Sequence, residues 1–102
     1  MEEIRYMSPL ELKKLINSKS DFQLVDIREK YELEIEGKVN SLHIPMGELI
    51  DRLNEISENK KVIFYCGSGN RSSNILNFML MNDLYKNNYY SLEGGFRALS
   101  VV

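Results

Sequence analysis

Apolar residues follow two alternating patterns along the chain: short runs rich in β-forming residues, and longer segments in which apolar positions recur every three or four residues. Runs of the first kind, bounded by polar breaks, predict strands, whereas the longer spacing predicts helices with one apolar face. The strand-like runs lie at 4–7, 22–27, 42–44, 62–65 and 89–92. Because helix-like segments separate them, the pattern predicts an α/β fold with a parallel sheet.

The predicted helices begin at recognisable residues. Ser8-Pro9-Leu10-Glu11 has the spacing of a capping box with proline in the first turn, and this helix should run to about Asn17. Further helical segments are expected within 28–35, between Gly47 and Ser57, after Arg71, and at 96–99. The segment after Arg71 should pack firmly on the sheet through five apolar residues: Ile75, Leu76, Phe78, Met79 and Leu80.

The run Val62-Ile63-Phe64-Tyr65 is apolar at every position, as expected of a central parallel strand covered by helices on both faces. Ligands of such sheets bind at the carboxyl ends of the strands. Cys66 directly follows this strand, and Glu93-Gly94-Gly95 follows the last one. Both segments therefore fall where a ligand is expected.

Cys66 is the only cysteine, and it opens a short loop that leads into a predicted helix. Two glycines and an asparagine in this loop allow consecutive backbone N–H groups to turn inward as an anion-binding nest, next to the positive end of the helix dipole. Such surroundings favour the thiolate, which is the nucleophilic form of cysteine. We interpret Cys66 as a reactive thiol, and we expect five residues to bind an anion: Gly67, Ser68, Gly69, Asn70 and Arg71.

Length and composition indicate a single small globular domain over residues 1–102, with 43% hydrophobic and 27% charged residues. A net charge of −2 argues against a broad basic surface, so neither nucleic acid nor an anionic membrane is an expected partner. Because the chain has no run of about 20 apolar residues and begins with Met1-Glu2-Glu3, we expect neither a membrane span nor a secretory signal. A lone thiol fits a reducing compartment, so a cytoplasmic location is expected.

Four segments resemble, in order and spacing, the single-domain rhodanese (thiosulfate sulfurtransferase-like) family. They are Val25-Asp26-Ile27-Arg28-Glu29, Ile44-Pro45-Met46-Gly47-Glu48-Leu49, Tyr65-Cys66-Gly67-Ser68-Gly69-Asn70-Arg71-Ser72 and Leu92-Glu93-Gly94-Gly95-Phe96. The resemblance implies a three-layer α/β/α fold with a five-stranded parallel sheet. It also implies that Cys66 accepts a sulfane sulfur, becomes a persulfide and hands the sulfur to a nucleophile.

The implied activity is that of a sulfurtransferase. Its donor would be a small molecule such as thiosulfate or a persulfide, and its acceptor a thiol, cyanide or a sulfur-carrier protein. Arg71 would hold the sulfonate end of thiosulfate while Cys66 attacks the outer sulfur, and N–H groups from Gly67 to Arg71 would stabilise the terminal sulfur. No metal or organic cofactor is expected, because the sequence contains no cluster of His and Cys residues.

The chain departs from the family pattern at three places. Many members carry Gly-His-Ile-Pro where this chain has Glu36-Gly37-Lys38-Val39, and His43 does not replace the missing histidine. Members that use thiosulfate well often have Arg or Lys directly after the cysteine, but this chain has Gly67, which predicts weaker attraction of anions. A tryptophan commonly follows the Gly-Gly turn, and this chain has none.

Two other functions stay open. The domain could be a non-catalytic rhodanese-like module that docks a partner or senses an anion with the same pocket. A phosphatase or arsenate reductase is disfavoured, because those enzymes place five residues between Cys and Arg, whereas four separate Cys66 from Arg71. Asp26 and Arg28 are interpreted as a structural ion pair that fastens the loop after the second strand.

Overall fold

The computed structural model describes residues 3–99, which contain a sheet of five parallel strands in the order β1-β5-β4-β2-β3. The strands are β1 (Arg5–Met7), β2 (Phe22–Asp26), β3 (Leu42–His43), β4 (Lys61–Tyr65) and β5 (Tyr89–Leu92). The predicted five-stranded parallel sheet is confirmed, with β4 at its centre. The domain predicted over 1–102 also includes residues 1–2 and 100–102, which lie outside the described part.

Helices cover both faces of the sheet. They are α1 (Pro9–Asn17), α2 (Lys30–Glu36), α3 (Met46–Leu49), α4 (Asn70–Met81) and α5 (Gly95–Leu99), and a 3₁₀ segment (Ile50–Glu55) follows α3. Successive residues of β4 point to opposite faces. Val62 and Phe64 pack in one core cluster with Leu76 of α4, whereas Ile63 lies in a second cluster with Leu12 of α1. Two-sided burial explains why this strand is apolar throughout.

The capping box predicted for α1 is present. The Ser8 hydroxyl accepts a hydrogen bond from the Glu11 N–H, and the Glu11 carboxylate accepts one from the Ser8 N–H, both at 3.1 Å. The single helix expected between Gly47 and Ser57 is instead α3 followed by the 3₁₀ segment, and Arg52, inside that segment, has a non-helical backbone (φ −120°, ψ 22°). Among the described residues, no helix is long and apolar enough to cross a membrane.

One packing prediction for α4 is wrong. Phe78 is 48% exposed, whereas it was expected to pack on the sheet. The buried residues of α4 are Ser72, Leu76 and Met79, spaced by four and three positions. Phe78 lies two positions after Leu76, which places it on another side of the helix from this stripe.

Candidate functional site at the Cys66 loop

Cys66 lies directly beyond the carboxyl end of β4, and its side chain is completely buried. Its sulfur accepts a hydrogen bond from the Gly69 N–H at 3.1 Å. The Ser72 hydroxyl, in the first turn of α4, lies 3.8 Å from the same sulfur and 2.7 Å from the Ser91 hydroxyl of β5. The loop therefore curls around the sulfur. The Gly69 N–H donates to it, and the Ser72 hydroxyl oxygen accepts from its S–H while donating to the Gly69 carbonyl at 3.1 Å.

Helix α5 holds the carbonyl groups of this loop. The Phe96 N–H donates to the Cys66 carbonyl at 2.7 Å, and the Arg97 N–H donates to the Gly67 carbonyl at 3.2 Å. In a trans peptide the N–H points opposite to the C=O, so the N–H groups of Gly67 and Ser68 must point away from α5. These contacts fix the direction of both peptide dipoles.

Several N–H groups of the loop are left to bind a ligand. Within residues 3–99, the N–H groups of Gly67, Ser68, Asn70 and Arg71 have no protein acceptor. The last two also belong to the first turn of α4, where backbone donors have no partner inside the helix. Four unpaired donors thus lie in one short loop, and the binding of an anion by this loop stays a prediction.

The Gly94-Gly95 turn allows the close approach of α5 to the loop. A Cβ atom on Gly95 would lie 2.5 Å from the Cys66 carbonyl oxygen and 2.7 Å from the Gly67 carbonyl oxygen, and Gly95 has a positive φ of 63°. No other residue type can occupy this position without moving the loop backbone. This segment, a weak sequence motif by itself, determines how the loop is held.

Arg71 binds a carboxylate that the sequence analysis did not single out. Its Nη1 and Nη2 donate to the two carboxylate oxygens of Glu32 at 2.8 and 2.6 Å. Glu32 lies in the first turn of α2, where it also accepts the Glu29 N–H at 2.7 Å, and its hydrogen bonds to Arg71 lower its pKa to about 2. The spacing Glu29-x-x-Glu32 indicates a helix start, but it gave no signal for the contact with Arg71.

A second arginine missed by the sequence analysis, Arg97, also reaches the loop. Its Nη2 lies 3.6 Å from the position that a Cβ atom on Gly67 would take, and Arg71 Nη2 lies 3.5 Å from the same point. Arg97 Nε pairs with the Glu36 carboxylate at 3.5 Å. The residue after Cys66 therefore has two guanidinium groups above it, although it carries no side chain itself.

The ion pair predicted between Asp26 and Arg28 is present and fully buried, with Nη2 and Oδ2 2.9 Å apart. The Arg28 guanidinium also lies 3.9 Å from the ring centre of Phe96, and it donates to the Gly37 carbonyl at 3.0 Å. This pair thus supports α5 as well as the segment after β2. His43 Nε2 lies 2.6 Å from the Arg28 carbonyl oxygen, and this contact joins β3 to the segment after β2.

A groove of about 280 Å³ runs beside the loop, between Ser68, Gly69 and Asn70 on one side and 92–94 on the other. A larger cavity of about 850 Å³ is lined by α2 and residues 37–43, and it contains none of the predicted site residues. We take the Cys66 loop itself as the candidate site. Three of its residues, Ser68, Gly69 and Asn70, line the smaller groove, whereas Cys66, Gly67 and Arg71 are not among the lining residues. In the part of the chain that the structure describes, no three His, Cys, Asp or Glu residues are grouped to hold a metal ion.

A family model for the rhodanese-like domain matches residues 8–101. The chain belongs to the rhodanese-like domain family. It is 31% identical over 97 residues to a Bacillus subtilis protein named "Putative sulfurtransferase YtwF", covering 94% of this chain and 90% of that protein. This confirms the family that the sequence analysis named.

Solved structures show the same fold. A rhodanese-related protein from Thermoplasma volcanium is similar with a TM-score of 0.76 and 28% identity, covering 95% of this chain and 91% of that protein. A Rhodopseudomonas palustris protein described as "Possible Tyrosine Phosphatase" is similar with a TM-score of 0.80 and 29% identity, covering 96% of this chain and 80% of that protein. These likenesses confirm the α/β fold class.

Replacing Glu32 by Gln should destabilise the protein in a pH-dependent manner. Because the pKa of Glu32 falls from 4.5 to about 2 on folding, its carboxylate contributes stability above pH 4.5 and loses it as the pH falls towards 2. Urea unfolding at pH 7 should show a loss of about 2 to 3 kcal/mol, shrinking steadily below pH 4.5. Glu55→Gln removes the carboxylate of an exposed pair with Arg52, and it should change the free energy of unfolding far less. If the loss of unfolding free energy caused by Glu32→Gln were the same at pH 7 and at pH 3, this explanation would be wrong.

Replacing Gly95 by Ala should displace the loop. The added Cβ would overlap two carbonyl oxygens and strain a left-handed backbone, so we expect a loss of about 1 to 3 kcal/mol in the free energy of unfolding. Amide NMR signals of residues 66–71 should shift. Gly47→Ala is the matched control, because its Cβ position has no described heavy atom within 4 Å apart from the neighbouring residues and the backbone of its own helix. Equal stability and unshifted loop signals in both variants would refute the predicted clash.

Proposed function

We propose that the protein is a sulfurtransferase that takes a sulfane sulfur onto Cys66 as a persulfide and then passes it to an acceptor. The observation that carries the proposal is the Cys66 sulfur, held 3.1 Å from the Gly69 N–H within a loop of unpaired N–H donors. Similarity to a relative named as a sulfurtransferase supports it. The intact cysteine favours catalysis over a purely binding role for this rhodanese-like domain.

In the first half-reaction, the Cys66 thiolate attacks the outer sulfur of a donor such as thiosulfate. A new sulfur–sulfur bond forms, the bond between the outer sulfur and the sulfonate breaks, and sulfite leaves with the electron pair. The terminal sulfur of the persulfide is then an anion. N–H groups of Gly67, Ser68, Asn70 and Arg71 are the available donors for it, as oxyanion-hole amides are in acyl transfer.

In the second half-reaction, a thiol, cyanide or a sulfur-carrier protein attacks the terminal sulfur. The sulfur–sulfur bond breaks, and Cys66 leaves as a thiolate. The Gly69 N–H already donates to its sulfur, and this hydrogen bond would stabilise the returning charge. Neither half-reaction needs a metal or organic cofactor. We also propose that the protein works in the cytoplasm.

Access to the thiol requires movement. The Cys66 side chain is completely buried, so a donor reaches its sulfur only after groups above the loop shift. The side chains of Arg71 and Arg97 lie over Gly67, and both are attached to the rest of the protein by flexible stems. A shift of the exposed Arg97 side chain would uncover Gly67, the residue next to the thiol, while Arg71 stays bound to Glu32.

Loop size supports sulfur transfer over phosphate chemistry. Four residues separate Cys66 from Arg71, which gives a tighter ring than the five-residue spacing of tyrosine phosphatases. A tight ring suits one sulfur atom better than a phosphoryl group with three oxygens. The Rhodopseudomonas protein makes phosphatase activity a useful control, so an aryl phosphate should be tested alongside sulfur donors.

Mass spectrometry tests the proposed function directly. Treatment with thiosulfate or polysulfide should add about 32 Da at Cys66, and cyanide should then remove the adduct as thiocyanate. The Cys66→Ser variant should gain no such mass. Failure of every sulfane donor to load the protein would overturn the proposal, and Cys66-dependent hydrolysis of an aryl phosphate would replace it with a phosphatase.

A further inference from the structure

Two arginines from different helices converge on the residue next to the thiol. Arg71 of α4 and Arg97 of α5 each place Nη2 within 3.6 Å of the point where a Cβ atom on Gly67 would lie. The two nitrogens are therefore at most about 7 Å apart, close enough for one oxyanion to contact both. Two cations at this separation repel each other, so the arrangement favours a bound anion.

Carboxylates on α2 balance both arginines. Glu32 and Glu36 are one helical turn apart, and each faces one of the two guanidinium groups. The two ion pairs differ in strength. Arg71 makes two short hydrogen bonds to a nearly buried Glu32, whereas Arg97 is 64% exposed and lies 3.5 Å from Glu36. An exposed pair at this distance contributes little stability, so Glu36 itself does little to keep Arg97 from contacting another anion.

Gly67 leaves the space between the two arginines open. The three atoms nearest to a Cβ built on it all belong to guanidinium groups, at 3.5 to 3.7 Å, which is ordinary van der Waals contact. A ligand atom of similar size can therefore lie there and touch both cations. The Arg97 N–H donates to the Gly67 carbonyl, so the backbone of Arg97 stays beside the loop even when the Arg97 side chain moves.

We propose that Arg97 is a substrate-binding residue that, with Arg71, holds the sulfonate end of a dianionic donor of the thiosulfate class. This inference rests on the proposed persulfide chemistry. Arg97 releases Glu36 and binds the sulfonate above Gly67, while the outer sulfur faces Cys66. When the thiolate attacks, the electron pair of the breaking sulfur–sulfur bond goes to the departing sulfite. Both guanidinium groups therefore contact the fragment that receives charge.

Loading kinetics of Cys66, followed by mass spectrometry, distinguish this role from a structural one. In Arg97→Gln, the half-saturating thiosulfate concentration should rise about tenfold, because a charged hydrogen bond to the donor is lost. Loading by hydrodisulfide, a sulfane donor without a sulfonate, should change by less than about twofold. Arg97→Lys should restore part of the thiosulfate affinity, since it keeps the charge but not the planar fork.

Two further variants sharpen the test. Glu36→Gln removes the carboxylate that competes for Arg97, so its half-saturating thiosulfate concentration should fall. Arg5→Gln makes the same change in net charge as Arg97→Gln, but Arg5 begins β1 at the amino-terminal end of the sheet, and this variant should behave as the unmodified protein. The inference is overturned if Arg97→Gln leaves the thiosulfate dependence unchanged or impairs both donors equally.

Sulfite binding separates this inference from the proposed function. Cys66→Ser cannot carry sulfur, yet it should bind sulfite, and adding Arg97→Gln should weaken that binding about tenfold in an NMR titration. If the unmodified protein never gains sulfur but the sulfite result holds, the anion site stands and the transferase proposal fails. If sulfur loading succeeds but Arg97→Gln binds sulfite equally well, only the role of Arg97 fails.

Discussion

Hydrogen bonds from α5 to the carbonyl groups of Cys66 and Gly67 are the constraint on which the site depends. They fix two successive peptide groups so that their N–H groups point away from α5, and they leave those donors without protein acceptors. A loop that paired its own N–H groups would hold no anion. The two carbonyl contacts explain why a five-residue helix at the end of β5 matters to a thiol at the end of β4.

Buried charges support this arrangement from below. Asp26 and Arg28 form a fully buried ion pair, and the Arg28 guanidinium lies against the Phe96 ring. The backbone N–H of Phe96 in turn donates to the Cys66 carbonyl. On the other side, α2 holds Arg71 through Glu32. Removing one partner of the buried Asp26–Arg28 pair would leave an uncompensated charge, so this pair fixes Arg28 against Phe96. The carboxylates of Asp26 and Glu32 also balance the charges of Arg28 and Arg71, so a bound anion is not the sole counter-charge of these arginines.

Local patterns in the sequence predicted the strands, the α1 cap and the position of Cys66, because each depends on residues a few positions apart. The contacts that complete the site join residues far apart in the chain: Glu32 with Arg71 and Glu36 with Arg97. No periodicity connects such residues, so they became visible only when α2, α4 and α5 met at one edge of the sheet. The exposed Phe78 shows the same limit, since apolar character alone does not tell which side of a helix faces the core.

The central claim is that the Cys66 loop surrounds one extra sulfur atom with backbone N–H groups. A high-resolution crystal structure of the protein after thiosulfate treatment tests it most directly. The account predicts electron density for a second sulfur on Cys66, within hydrogen-bonding distance of N–H groups of the 67–71 loop, with the α5 contacts to the loop carbonyls unchanged. A terminal sulfur directed away from these N–H groups, or a loop whose amides have turned towards α5, would contradict it.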